Sequence, residues 1–425
     1  MVLSNNVFMM LLSTLWASRC CAFSSRDITS QIMISGRRRC FCFNTRCNVP
    51  KEKIPLHRYL PVHLLSSSNS SEASDTTALT AQVIPGTTIQ TALTVAVKTL
   101  EKNLVPEPEE SALHLLSHSL DLSWGNGHRE LREVIRLPSS SSTMIKEPSS
   151  STQKLAQRQM SEDQCNTFQA LLQRRIHLEP LQYIVGQWDF HDLVGLQIKK
   201  PLLCPRPETE ELVEFVLKEV SQLIQSKGAT RERIRILDVG CGTGAIGLAI
   251  ANKYVDQVQV VALDVLPEAV ELSNDNAKKF LTHYIVEKGG NELNTNYNAI
   301  LCSAEDFTNS ENAQTYNMDF DIVVSNPPYI PSNDMASLST DVIGYESYKA
   351  LCGGDDGLDI IRQIVHRLPE WTNGSCWLEV DDSHPSLISA WLSAGSQESK
   401  RFGVEYVATF KDFCGRDRFV KLRVL

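Results

Sequence analysis

No two cysteines of the 425-residue chain stand in a C-x-x-C spacing, no apolar run is long enough to cross a bilayer, and positive charge is not in excess. Each absence removes a class of protein. Of the 12 cysteines, Cys20, Cys21, Cys40, Cys42 and Cys47 crowd the N-terminus and the others are scattered singly. That is neither a disulfide framework nor a zinc-site pattern, and no metal is expected. The apolar stretch Val7 to Ala17 is about half the ~20 residues a spanning helix needs, so no membrane partner is expected. With 41 Lys and Arg against 50 Asp and Glu, the formal charge of -9 argues against direct duplex nucleic-acid binding, which depends on clustered cations. Acidic residues are also missing from Met1 to Arg26, while Arg and Ser recur as far as Arg46. This is the composition of an organelle-targeting leader over 1–50, with the mitochondrion as the expected address and the plastid as the alternative.

What remains is ordinary globular composition, 42% hydrophobic and 21% charged, in a chain long enough for two or three domains. A polar linker fills 51–83, and folding is expected from about Ile84. Ile89, Leu93, Val97, Leu100 and Leu104 recur at helical spacing, as do Leu113, Leu116 and Leu120 within Glu107 to Leu122. A Ser-rich insertion over 138–153 interrupts this region before helices resume from about Thr152 to His177, giving a small helical domain over 84–180. Tyr183 to Val185, Trp188 to Phe190 and Val194 to Lys199 read as short strands, a β-hairpin connector over 181–203. Pro207 and Glu208 then open a helix. After it the apolar runs Ile234 to Val239, Val258 to Leu263, Ala299 to Leu301 and Ile322 to Ser325 alternate with helical stretches. The expected fold is α/β, with a doubly wound, mostly parallel sheet over 204–425.

The first of these strands runs into Asp238-Val239-Gly240-Cys241-Gly242-Thr243-Gly244-Ala245 and directly into an apolar helix. Glycines let a ligand touch the backbone there, and the helix start offers free N–H groups. Asp264, at the end of the second strand, can accept both hydroxyls of a ribose. Alone, this pattern suits NAD as well as S-adenosylmethionine, and Asp264 could also merely cap the helix that begins near Pro267.

Ser325-Asn326-Pro327-Pro328-Tyr329 breaks the tie, because two prolines at the end of the fourth strand make a rigid loop with carbonyls free to accept. An amide or ring-amine nitrogen is a poor nucleophile, since its lone pair is delocalised. If the Asn326 oxygen accepts one N–H and the Pro327 carbonyl the other, the lone pair turns toward an incoming methyl group. No strong base is then required, and alignment is a proximity effect. Tyr329 would pack against the flat amide or base.

These residues resemble class I S-adenosylmethionine-dependent methyltransferases that act on amide or amino nitrogen. Leu181 to Gly186, Pro205-Arg206-Pro207-Glu208-Thr209-Glu210 and Asn326 to Pro331 are more narrowly similar to the release-factor glutamine methyltransferases, the HemK family. Gly353-Gly354-Asp355-Asp356-Gly357-Leu358 and Asp412 to Arg416 extend the likeness, and Leu378-Glu379-Val380-Asp381 with His384-Pro385 resembles its organellar branch. Ser347 stands where the family often has proline, and Asp381 where bacterial members commonly have glycine; both departures concern local loop shape.

The resemblance implies a Rossmann-like seven-stranded methyltransferase domain over 204–425, behind a helical domain that holds the substrate. It implies N5-methylation of the glutamine in the Gly-Gly-Gln loop of an organellar peptide-chain release factor by a monomer. Asn326, Pro327, Pro328 and Tyr329 would hold the glutamine amide. Asp238, Gly240, Cys241, Gly242, Thr243, Gly244, Asp264 and Asn326 would line the S-adenosylmethionine site, with Asp306 beside the adenine. The rival reading is an adenine-N6 methyltransferase on DNA or RNA, whose exocyclic amine poses the same problem and would stack on Tyr329.

Overall fold

In a computed structural model of the chain, the described residues are 82–122, 126–137, 149–227, 232–287, 296–309, 315–316, 318–393 and 403–425. The expected leader lies outside them, as do nearly all of the linker and residues 138–148 of the Ser-rich insertion.

Thr88 opens α1 (Ile89–Lys102) by accepting the Thr91 N–H on its side chain, and α2 (Pro108–Ser119) and α3 (Asn126–Ile135) follow. The helical pattern continues past α1 in sequence but not in space. Leu104, an expected core residue, takes a φ of 55° after the helix has ended and is 88% exposed. The helices expected from about Thr152 to His177 are α4 (Ser150–Gln157) and α5 (Glu162–Ile176). Capping side chains decide the break. Ser149 caps α4, so the tail of the Ser-rich stretch is helical, while Ser161 and Gln164 form a reciprocal capping box that starts α5 afresh. Between them Gln159 bridges to Thr88.

Tyr183 to Val185 is not a strand. Leu181–Val185 is a short helix, α6, started after Pro180 and closed by Gly186 in the left-handed conformation. Five apolar-rich residues carry no decisive period, and the flanking Pro and Gly settle the matter. The hairpin is therefore only β1 (Gln187–Phe190) with β2 (Leu193–Gln197). α6 serves two cores: Leu181, Ile184 and Val185 pack with α1, α2 and α5, whereas Tyr183 packs with the residues that follow the hairpin.

After α7 (Pro207–Lys227) the chain alternates β3 (Ile234–Val239), α8 (Ala245–Lys253), β4 (Val258–Asp264), α9 (Pro267–Glu287), β5 (Tyr297–Leu301) and β6 (Phe320–Ser325). It ends in β7 (Thr372–Glu379), β8 (Val404–Lys411) and β9 (Asp417–Val424). The sheet order is β5-β4-β3-β6-β7-β9-β8, parallel except for β9, which is antiparallel to β7 and β8. Parallel strands need crossovers, and these bury both faces of the sheet. Ile234, Ile236 and Val260 pack under α7, α8 and α9; Leu237, Val239 and Val261 face the helix Asp359–Trp371. The doubly wound sheet is as the sequence predicts. Strand order reverses between β3 and β6, which opens a crevice at their carboxyl ends. No helix among the described residues is long and apolar enough to cross a membrane.

Candidate functional site

Strand register builds the site before any side chain is considered. Val239 pairs with Leu263 on β4 and with Ser325 on β6, so the next residues, Gly240, Asp264 and Asn326, stand side by side at the carboxyl edge. At ~4.8 Å between strands, the three span roughly 10 Å. Leu378 pairs with Ser325 in turn, which makes Glu379 the next position beyond Asn326.

The glycine turn presents backbone to this edge. A Cβ added to Gly240 or Gly242 would meet nothing within 4 Å, so the turn borders open space, and both have positive φ. Asp264 ties the turn to β4: Oδ2 accepts the Gly242 N–H at 2.9 Å and Oδ1 the Leu266 N–H at 2.9 Å. The second bond is a local turn ahead of α9: Leu266 precedes the first helical residue, Pro267, so Asp264 does not cap that helix. Two bonds do not saturate a carboxylate, so room for ribose hydroxyls remains. Burial raises the Asp264 pKa against the pull of those N–H groups.

The other members of the motif lie behind the turn. Asp238 is fully buried, with Oδ2 accepting the Gly247 N–H at 3.0 Å and Oδ1 unpartnered among the described residues. Burial pushes its pKa up to about 7. Cys241 is buried, and its thiol contacts Ser273 and Tyr297. Buried Thr243 accepts the Asn276 Nδ2–H on its carbonyl at 3.0 Å, and Gly244 caps α8. These residues shape the cradle, whose open side is glycine backbone. Asp306 is exposed in the turn after β5, its carboxylate taking the Ser303 hydroxyl at 2.7 Å. The Cys302 N–H donates to the Asp264 carbonyl, which sets that turn beside the cradle.

At the proline corner, Asn326 Nδ2 donates to Thr209 Oγ1 at 3.1 Å, and Thr209 Oγ1 donates to Glu379 Oε2 at 2.7 Å. Among the described residues nothing donates to Asn326 Oδ1 or to the Pro327 carbonyl. The two acceptors that the chemistry asks for are therefore free. Tyr329 is anchored: its hydroxyl accepts from Arg418 Nη2 at 2.6 Å and lies 3.4 Å from Glu379 Oε1. The Arg418 guanidinium sits 5.0 Å from the ring centroid, and the ring itself is partly buried against the core on the Leu237 and Val239 side of the sheet. Burial pushes the Tyr329 pKa up to about 12, so the phenol stays neutral.

The corner is clamped from outside by the Gly353 to Gly357 loop. A Cβ on Gly353 would fall 2.6 Å from the Pro328 carbonyl oxygen, and one on Gly357 2.3 Å from that of Tyr329. The segment after the corner is held by Arg206, which donates twice to buried Glu346, at 2.9 and 2.7 Å. Thr209 and Glu379 occur in motifs quoted above for their family likeness, yet no local pattern gives them a role. Arg418 carries no sequence signal at all.

A doubly wound sheet that aligns a glycine cradle, an acid suited to ribose and a corner with two free acceptors defines a class I methyltransferase acting on nitrogen. Family models agree: residues 230–344 match a methyltransferase domain and residues 151–186 the PrmC N-terminal domain. The chain is 36% identical to the human MTRF1L release factor glutamine methyltransferase, over 76% of its own length and 83% of that protein's. It is 31% identical to the release factor glutamine methyltransferase of Streptococcus pneumoniae, over 63% of its own length and 82% of the relative's. The chain belongs to the release factor glutamine methyltransferase family, and S-adenosylmethionine is its cofactor.

Proposed function

We propose that the protein methylates the side-chain nitrogen of the glutamine in the Gly-Gly-Gln loop of an organellar release factor, and that the proline corner performs the activation. The single observation that carries the reading is the alignment of Gly240, Asp264 and Asn326, with Asn326 Oδ1 and the Pro327 carbonyl unengaged among the described residues.

S-adenosylmethionine, when bound, supplies an electrophilic methyl on a sulfonium. The chain does the rest. Asp264 and the glycine turn hold the ribose and the backbone-facing part of the donor. Asn326 Oδ1 accepts one amide N–H of the substrate glutamine and the Pro327 carbonyl the other, which orients the nitrogen lone pair along the line to the methyl. Tyr329 packs its ring against the carboxamide plane. The N–C bond forms as the S–C bond breaks, the sulfur keeping the electron pair. One N–H proton then leaves for solvent, giving N5-methylglutamine and S-adenosylhomocysteine. An adenine amine would satisfy the same two acceptors; family membership favours the carboxamide.

Full-length protein is incubated with labelled S-adenosylmethionine and a release factor, the factor's Gln→Ala variant in the Gly-Gly-Gln loop, or DNA. Label should enter the intact factor alone. Asn326→Ala should lower turnover by on the order of 10² to 10³-fold with donor affinity retained. Label in DNA or in the Gln→Ala factor would refute the reading. The acid-free, Arg-rich start of the chain supports a mitochondrial address. A C-terminal fluorescent tag that stayed cytosolic would contradict it.

A further inference from the structure

The role of Asn326 carries a twofold demand. A carboxamide is nearly symmetric in shape, yet one end accepts hydrogen bonds and the other donates them. Only Oδ1 can receive the substrate N–H; with the group turned over, donor would face donor. The bond from Nδ2 to Thr209 Oγ1 does not fix the choice by itself, because a hydroxyl both donates and accepts.

The fixing comes from one step further away. Thr209 has a single hydroxyl proton, and it is committed to Glu379 Oε2 at 2.7 Å. Glu379 is fully buried at the end of β7, and as a carboxylate it only accepts. Its other oxygen faces the Tyr329 hydroxyl at 3.4 Å and Arg418 Nη2 at 3.5 Å. Donors thus load Oε1, Oε2 takes the threonine proton, and Thr209 is left as a pure acceptor toward Asn326. The hydrogen-bond direction is set at β7, passed by α7 and read at the end of β6.

We propose that Glu379 is a positioning residue that acts through Thr209 to hold the Asn326 carboxamide with Oδ1 toward the substrate nitrogen. This rests on the reading of Asn326 as acceptor of the glutamine N–H. The relay touches neither the methyl group nor the nitrogen, so it acts on turnover and leaves donor affinity alone.

The test is Glu379→Gln, nearly the same shape. Arg418 and Tyr329 keep an oxygen facing them, so the new NH2 group faces Thr209; the threonine proton loses its carboxylate acceptor and becomes available to Asn326 Oδ1, which favours the carboxamide turned over with Oδ1 inward. Turnover on the release factor should fall on the order of 10²-fold, with KM and the donor Kd within a few-fold of wild type. Thr209→Val should lose as much, Thr209→Ser should recover most of it, and the double variant T209V/E379Q should be no worse than T209V alone. Wild-type turnover in E379Q overturns the proposal, as do losses that multiply in the double variant. Should E379Q fail to fold by near-UV circular dichroism, the Val and Ser pair decides, and equal loss in both overturns the relay. Full activity in Asn326→Ala instead removes the reading beneath it, and the relay with it.

Discussion

Asp264 shows how one side chain serves two masters. Its oxygens accept N–H groups from the glycine turn and from Leu266, just ahead of the next helix, and so set the distance between them. An amide in its place would aim an NH2 group at one of two N–H donors. Asp264→Asn should therefore lose one charge-assisted bond, of about 1.5–3 kcal/mol, and loosen the turn. The expected result is a donor Kd weakened by about tenfold or more in titration calorimetry. An unchanged Kd would show that the cradle does not depend on this acid. Asn326, two strands away, is legible in the sequence because Pro327 and Pro328 mark the corner. Thr209 is not, since its partners lie 117 and 170 residues away along the chain.

At the scale of elements, the corner depends on a loop that arrives later in the chain. Gly353 and Gly357 let that loop press on the carbonyls of Pro328 and Tyr329, and Gly357 has a φ of 77° as well. Gly357→Ala would incur left-handed strain of about 1–2 kcal/mol, and overpacking against backbone of about 1–3 kcal/mol. A drop of about 2–5 kcal/mol in unfolding free energy by urea titration is expected, along with lost turnover. Stability within error of wild type would mean that the loop yields freely and clamps nothing. The helical elements follow the same logic. The capping box at Ser161 ends one helix pattern and begins another, and the Pro180 and Gly186 pair turns an apparent strand into α6. In both cases local chemistry overrides apolar periodicity.

For the molecule as a whole, buried carboxylates couple stability to pH. Asp238 titrates near 7 in the fold against about 3.9 in an unfolded chain. Between roughly pH 4 and 7 the folded state keeps a proton that the unfolded state releases, so stability falls as pH rises through that window. The limit for one proton is about 1.4 kcal/mol per pH unit. Burial raises Asp264, Glu346 and Glu379 in the same sense. The hydrogen bond from Arg174 holds Glu179 low, and that from Arg362 holds Asp356 low, so their contributions are lost on acidification instead. The urea midpoint should decline from about pH 5 to about pH 8, and Asp238→Asn should flatten the decline. An identical slope in that variant would place the linkage elsewhere.

The alternation of strands and helices from β3 to β6, the glycine turn, Asp264 at the end of β4 and the Asn326 to Tyr329 corner at the end of β6 were legible in the sequence alone, because each depends on neighbours within a few residues. Tertiary structure decided that Asp238 stands behind the cradle, that Leu104 leaves the core, and that Thr209, Glu379 and Arg418 converge on the corner. Those outcomes depend on strand register and on helices packing across the sheet, which join residues distant in the chain through contacts that no local pattern encodes.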